Sequence, residues 1–228
     1  MRAFVITIIN NEKSVEAAER CISSGTKNGV NIEKFEAYTP DDKPFEILEQ
    51  RRVLTEGLIE KWSRSENCAA AFLSHFSLWQ KCLELNAPIM VFEHDAYIMD
   101  PIPASLLDGY GFKQMISIGR PSYGQWRSPQ FLGTGPLTSK KYFPGAHAYI
   151  VKPAGARTVI EWAQTKGARP TDVFLNKESF PFLEEFHPWP VEARDYFTTI
   201  QKEEGCLAKH NYVKNKEQYE IISAGRSV

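Results

Sequence analysis

No run in this chain reaches the roughly 20 consecutive apolar residues that a membrane-spanning helix needs. The short apolar stretch at the amino end passes directly into charged sequence and has no small-residue cleavage site of the secretory kind. A cytoplasmic location is therefore expected. Cysteine is scarce. Cys21, Cys68, Cys82 and Cys206 stand far apart and fit neither a zinc spacing nor CxxC. Cys68 and Cys82 fall in one predicted helix, too far apart along it to bridge. All four read as reduced, small apolar side chains. Net charge is also nearly absent, with 27 basic against 28 acidic residues and a formal charge of -1. That balance signals neither nucleic acid nor an anionic membrane as partner. No repeat, low-complexity run or clear linker divides the chain, so its 228 residues are assigned to one domain.

What is present is the composition of a globular protein: 43% hydrophobic, 12% aromatic and 24% charged, enough for a sizeable core. Residues 3–10, AFVITIIN, form a continuous β-rich run, the mark of a strand buried on both faces. Residues 12–24 place Val15, Ala18 and Ile22 at helical spacing, with Gly25 as the expected C-cap. Residues 30–38 read as a second strand, which completes a βαβ unit and a parallel pair. Ser63 and Glu66 have capping-box spacing ahead of CAAAFLSHFSLWQKCLEL, where Phe72, Phe76, Trp79 and Leu83 share a helical face. Further strands are predicted at 114–120 and 145–151, a helix from Pro153 to about residue 164, and a short helix after Thr171. Residues 121–144, rich in Gly, Pro, Ser and aromatics, and residues 181–200 read as irregular.

Between these elements lies PIMVFEHDAY (88–97), an apolar strand that runs into Glu93-His94-Asp95. An acidic pair at the end of a buried strand is costly unless its charge is compensated. In open parallel α/β sheets ligands bind beyond the carboxyl ends of strands. Two hard oxygen ligands there suit Mg²⁺ or Mn²⁺, and a cation in that place usually serves a phosphate. The alternative is that these acids cap a turn or pair with surface cations.

The stretch CAAAFLSHFSLWQKCLELNAPIMVFEHDA resembles the central motif of glycosyltransferase family 25, the family of bacterial lipooligosaccharide glycosyltransferases and collagen galactosyltransferases. In that motif a helix with Ser-His, and a Trp four residues on, leads into a strand that ends in an acidic triplet. PGAHAYIVKPAGARTVI and RPTDVFL resemble two further family segments, and the resemblance covers roughly residues 1–200. It implies a single GT-A-like, Rossmann-like α/β domain with a mostly parallel sheet flanked by helices. The nucleotide-sugar half would be about 1–100, the acceptor half about 101–200, and 201–228 a polar tail. It also implies a nucleotide-sugar donor, usually UDP-linked, Mn²⁺ or Mg²⁺, and transfer with inversion to an acceptor hydroxyl. Carried over by position, Asp95 binds the metal and Glu93 faces it or the ribose. His94 stands where the family usually has Asp, which weakens a cation site and leaves the imidazole to contact the diphosphate.

Asp172 matches the catalytic base, against an alternative role as N-cap of the turn that follows. Asn10 and Asn11 lie where base and ribose would bind, unless they form a plain strand-end turn. His75 is read as structural, or as supporting the site from behind. His147 either lines the acceptor cleft or packs, and His187 and His210 are weaker candidates for a metal or phosphate ligand. Trp126, Phe131 and Tyr142, with Arg127, Lys140 and Lys141, give residues 121–143 the composition of a mobile acceptor-side lid hinged at Gly124, Gly133 and Gly135. The acceptor is a glycan or another hydroxyl-bearing molecule, a modified nucleic-acid base among them, although charge does not point to nucleic acid. Two other readings stand beside transfer. One is a non-catalytic nucleotide-sugar or glycan binder, prompted by His94; the other is a metal-dependent phosphoesterase, which lacks the further Asp/His motifs that such enzymes need.

Overall fold

The computed structural model describes residues 1–61, 63–121, 125–143, 145–194, 197–200 and 220–221. The tail with Cys206 and His210, and the proposed hinge Gly124, lie outside the described residues. A seven-stranded mixed sheet, ordered β2-β1-β3-β7-β5-β8-β6, is flanked by helices. Its strands are β1 (Arg2–Thr7), β2 (Ile32–Glu36), β3 (Ile89–Glu93), β5 (Met115–Ser117), β6 (Gly133–Pro136), β7 (Ala148–Val151) and β8 (Leu183–His187). The helices are α1 (Glu12–Lys27), α2 (Pro44–Gln50), α3 (Ser65–Leu85), α4 (Ala104–Leu107), α5 (Pro153–Lys166) and α6 (Thr171–Phe174). Two small sheets complete the fold, β4 (Ala96–Ile98) with β9 (Val191–Ala193) and β10 (Phe197–Thr198) with β11 (Glu220–Ile221). Among the described residues no helix is long and apolar enough to cross a membrane.

The β1–α1–β2 unit forms as its apolar pattern requires, and β1 lies parallel to both β2 and β3. Beyond β3 the sheet takes in antiparallel partners, since β7 runs against both β3 and β5. Strand alternation divides the core into two layers. Ile89 and Val91 of β3 face α3 and α5 with Phe72, Phe76, Trp79 and Val159. Met90 and Phe92 face the other way, toward Ala18 and Cys21 of α1. The three described cysteines, Cys21, Cys68 and Cys82, are free and buried.

Four local expectations are corrected. Gly25 is not a C-cap. It lies inside α1, where a Cβ would stand 2.5 Å from Ile32 Cδ1 and 2.9 Å from the Val30 carbonyl oxygen, and Asn28 caps the helix. The Ser63–Glu66 capping box does not form, because Arg64 is the N-cap of α3 and the Ser63 hydroxyl donates to Glu60. Residues 181–200 are not irregular, since β8 is an inner strand parallel to β5. The loop expected at 121–144 contains β6, antiparallel to β8. Its second half is tied down further by Phe143 N–H donating to the Leu175 carbonyl (2.9 Å) and Lys177 N–H to that of Lys141 (2.9 Å). From Gly133 on, the proposed lid is thus built into the fold.

Candidate active site

In the parallel register Ile6 of β1 lies beside Glu93 of β3, so the two strands end at one edge of the sheet. The antiparallel β7 starts there, with Ala148 paired to Phe92 and the Glu93 N–H donating to the His147 carbonyl at 2.9 Å. The acidic turn therefore projects from the edge where an open α/β sheet binds ligands.

Alternation sends Glu93 and His94 to opposite faces. Glu93 Oε1 lies 3.1 Å from His75 Nε2 in the middle of α3. His75 Nδ1 is 2.9 Å from the Tyr149 hydroxyl, which also accepts from Trp79 Nε1–H at 2.9 Å. Burial depresses the His75 pKa to about 3 against the opposing pull of Asp172, so the ring is neutral and has one N–H to give. The bonding pattern assigns its position. Trp79 only donates, so Tyr149 passes its own proton to His75 Nδ1, and Nε2–H donates to Glu93. Each group in the chain is then satisfied, as buried polar groups need to be. The Glu93 side chain keeps 30% exposure. Loss of water around its carboxyl, and then the negative charge of Asp172, raise its pKa well above the usual carboxylate range.

Asp172 reaches this cluster from the other side. It lies in the first turn of α6, a helix too short to hold itself together. Phe174 anchors that turn, buried at 2% exposure with its ring 5.7 Å from Trp79 and 5.1 Å from Phe72. Asp172 is not the N-cap. Pro170 holds that position, and Asp172 Oδ1 accepts from the N–H of Val173 at 2.8 Å. Its charge acts on Glu93, His75, Lys140 and Tyr142 together. Lys140 Nζ stands 5.3 Å from the centre of the Tyr142 ring. Burial lowers the Lys140 pKa while Asp172 opposes the shift; burial and then Asp172 raise that of Tyr142.

A profile of glycosyltransferase family 25, described as an LPS biosynthesis protein family, matches residues 4–131, more than half of the chain. The protein belongs to glycosyltransferase family 25. No curated protein matches it. Among solved structures it is similar to one titled "Crystal Structure of A197 from STIV", with a TM-score of 0.45 at 11% identity over 82% of each chain. The matched stretch of this family 25 glycosyltransferase ends before Asp172, Lys140 and Tyr142, whose association rests on the fold itself.

The remaining candidates of the family 25 chain disperse. His94 faces α1, its Nδ1 2.9 Å from Ser14 Oγ, which accepts the Ile8 N–H at 2.9 Å. Its ring lies 5.2 Å from that of Phe197. Burial, then the Arg20 charge, lower its pKa to about 4. Asp95 lies near the same helix, since burial and then the Asp95 charge raise the Cys21 thiol. Asn11 is the N-cap of α1, accepting from Ser14 N–H at 3.0 Å, and Asn10 is exposed beside it. His147 is buried at 2%, packed so closely on Gly119 that a Cβ there would meet its Nε2 at 2.5 Å. Trp126 sits in a separate cluster, with its ring 5.4 Å from Trp189 and the Arg120 guanidinium 5.9 Å from its centre. His187 joins that cluster 4.7 Å from Trp189. Phe131 lies against Gly135.

Among the described residues no three His, Cys, Asp or Glu side chains are grouped to hold a metal ion. The two proposed cation ligands are not shown together, since Glu93 turns to His75 of α3 and Asp95 lies near Cys21 of α1. A cation there would have to complete its shell with substrate phosphate oxygens and water, the habit of Mg²⁺. Sequence reasoning missed Tyr149 as a member of the site, read Trp79 as a motif and core residue, and placed Lys140 in the acceptor-side lid without linking it to Asp172. The one signal was a tyrosine and a histidine inside an otherwise aliphatic strand, GAHAYIV.

Proposed function

We propose that the protein moves a sugar, a UDP-linked hexose in the simplest case, from its nucleotide to an acceptor hydroxyl with inversion at the anomeric carbon. The observation that carries this reading is the placement of Asp172. Its helical turn is anchored by Phe174 on Phe72 and Trp79. Trp79 leads through Tyr149 and His75 to Glu93, so that the Asp172 charge reaches Glu93 and His75. Two carboxyl groups in one site are driven apart in proton affinity. Glu93 is the one that keeps its proton, which leaves Asp172 to receive one. The acceptor hydroxyl gives its proton to Asp172 as its oxygen bonds to the anomeric carbon. The bond from that carbon to the diphosphate breaks on the opposite face, and the nucleotide diphosphate leaves with the electron pair.

Asn10, Asn11 and His94 border the donor on the α1 side. Asp95 would hold Mg²⁺ or Mn²⁺ together with the diphosphate, and the cation when bound would neutralise charge on the departing group. Glu93, which keeps its proton, is not an anionic ligand. The family description supports a glycan of the lipopolysaccharide type as acceptor.

Asp172→Asn tests the assignment. Asn keeps the size and can still accept from Val173 N–H, so stability falls by no more than about 1 kcal/mol. UDP release with acceptor drops on the order of 10²–10⁴-fold, while donor affinity, read by calorimetry, is unchanged. Lost stability with preserved specific activity would return Asp172 to a structural role. Saturable donor binding with no UDP release by the wild type would make the protein a binder.

A further inference from the structure

Of the cations in the 121–143 segment, Lys140 is tied to the catalytic cluster through the Tyr142 ring and the charge of Asp172. We propose that Lys140, held over Tyr142 beside Asp172, recognises a carboxylate or phosphate on the acceptor sugar, so that the enzyme selects an acidic saccharide. This rests on Asp172 being the base.

The placement is fixed by backbone. Tyr142 bridges to Asn176, Phe143 N–H donates to Leu175 (2.9 Å) and Lys177 N–H to Lys141 (2.9 Å). Lys140 and Tyr142 are thereby stitched to the residues that directly follow α6, the helix carrying Asp172. The ammonium is half-buried against the Tyr142 ring, 5.3 Å from its centre. A cation so placed has already lost part of its water and binds an anion more strongly than an exposed one. Its neighbour is the contrast. Lys141 is 76% exposed and lies 3.6 Å from Glu178, the kind of surface pair that contributes little. Burial lowers the Lys140 pKa while Asp172 opposes the shift, and the two offer a sugar opposite requirements. A hydroxyl donates to Asp172 while an acidic oxygen accepts from Lys140, which sets the ring's orientation with two points. The donor's phosphates are the less fitting partner on the reading above, which puts the donor on the α1 side of the edge, beside Asn10, Asn11 and His94.

The test is a binding titration that needs no turnover. Methyl glycosides of galactose and glucose, their uronic acids and their 6-phosphates are titrated by NMR against the full chain with UDP present. The acidic members should bind about tenfold more tightly than the neutral ones, the size of one hydrogen bond to a charged group. That preference should vanish in Lys140→Met, return in Lys140→Arg and persist in Lys141→Met. It should also persist in Asp172→Asn. A wild type that binds neither class at millimolar concentration, or both equally, overturns the proposal, as does a preference that survives Lys140→Met. Weakened UDP binding in Lys140→Met with the sugar preference intact would assign the cation to the donor diphosphate instead. Absence of UDP release from every donor would sink the transferase reading alone, since this titration reads binding.

Discussion

A neutral histidine between a phenol and a carboxyl has one proton to give, and in His75 the direction of giving is set from behind by Trp79 and Tyr149. The pair it forms with Glu93 couples stability to pH in two opposite senses. His75 has a folded pKa lowered to about 3. Its contribution is complete above the ordinary histidine range near 6.5 and is lost as pH falls below that range toward the folded value of about 3. Glu93 is raised, so its contribution is complete below the ordinary carboxylate range, about 4.3, and is lost as pH rises through the folded value. Glu93→Gln removes the second loss while an amide oxygen still accepts from His75. The variant should therefore melt higher than wild type at neutral and alkaline pH, by about 1 kcal/mol, a typical exchange of function for stability. The gap should close as pH approaches 4.3. Melting curves across pH decide it; a difference that does not change with pH would mean that Glu93 is not held protonated.

Elements whose pattern is repeated by their packing were legible: β1, α1, β3, α3, β7 and α5 lie where apolar runs and helical spacing put them. β8 was not, because it reads LEEFH and places two acids in an inner strand. Both acids are nonetheless compensated. Glu184 Oε2 accepts from Lys113 N–H at 2.6 Å. Glu185, wholly buried, accepts on Oε1 from the N–H and hydroxyl of Thr138 (2.6 and 3.0 Å) and from Ser139 N–H (2.8 Å). Its Oε2 accepts from Trp189 Nε1–H at 3.3 Å. No local propensity encodes that arrangement; the donors to Oε1 lie 46 and 47 residues away in the chain. Glu185 fastens β8 to the segment that leads on to Lys140. Glu185→Ala should cost about 3–5 kcal/mol in urea unfolding, since it strands buried donors. Glu185→Gln should cost about 1–2 kcal/mol, because its amide oxygen serves Thr138 and Ser139 while its NH₂ meets the Trp189 donor. Equal losses for the two would mean that volume, and not donor matching, sets the energy.

Across the whole molecule the site is a meeting of distant chain segments, and this decides what a sequence can disclose. Glu93, Asp95 and Asp172 could be singled out as candidates because short motifs carry them. The His75–Tyr149 contact, 74 residues apart, and the placing of Lys140 beside α6 follow only from the way β7 runs antiparallel between β3 and β5. The same topology sets Glu93 toward α3 and His94 toward α1, and that division bears on the metal. With His94 bonded to Ser14 and no group of three candidate ligands among the described residues, the protein alone offers a cation too few oxygens. A cation should then bind only together with the diphosphate. Binding to the native state alone stabilises the entire fold, by about 2.7 kcal/mol at a hundred times the dissociation constant. Mn²⁺ by itself should thus leave the melting temperature nearly unchanged. UDP by itself should raise it modestly, and UDP with Mn²⁺ by more than the two separate effects together. Asp95→Asn should erase that excess while keeping the response to UDP. A large shift with Mn²⁺ alone would reveal a protein cage, and an excess that survives Asp95→Asn would remove Asp95 from the cation's shell.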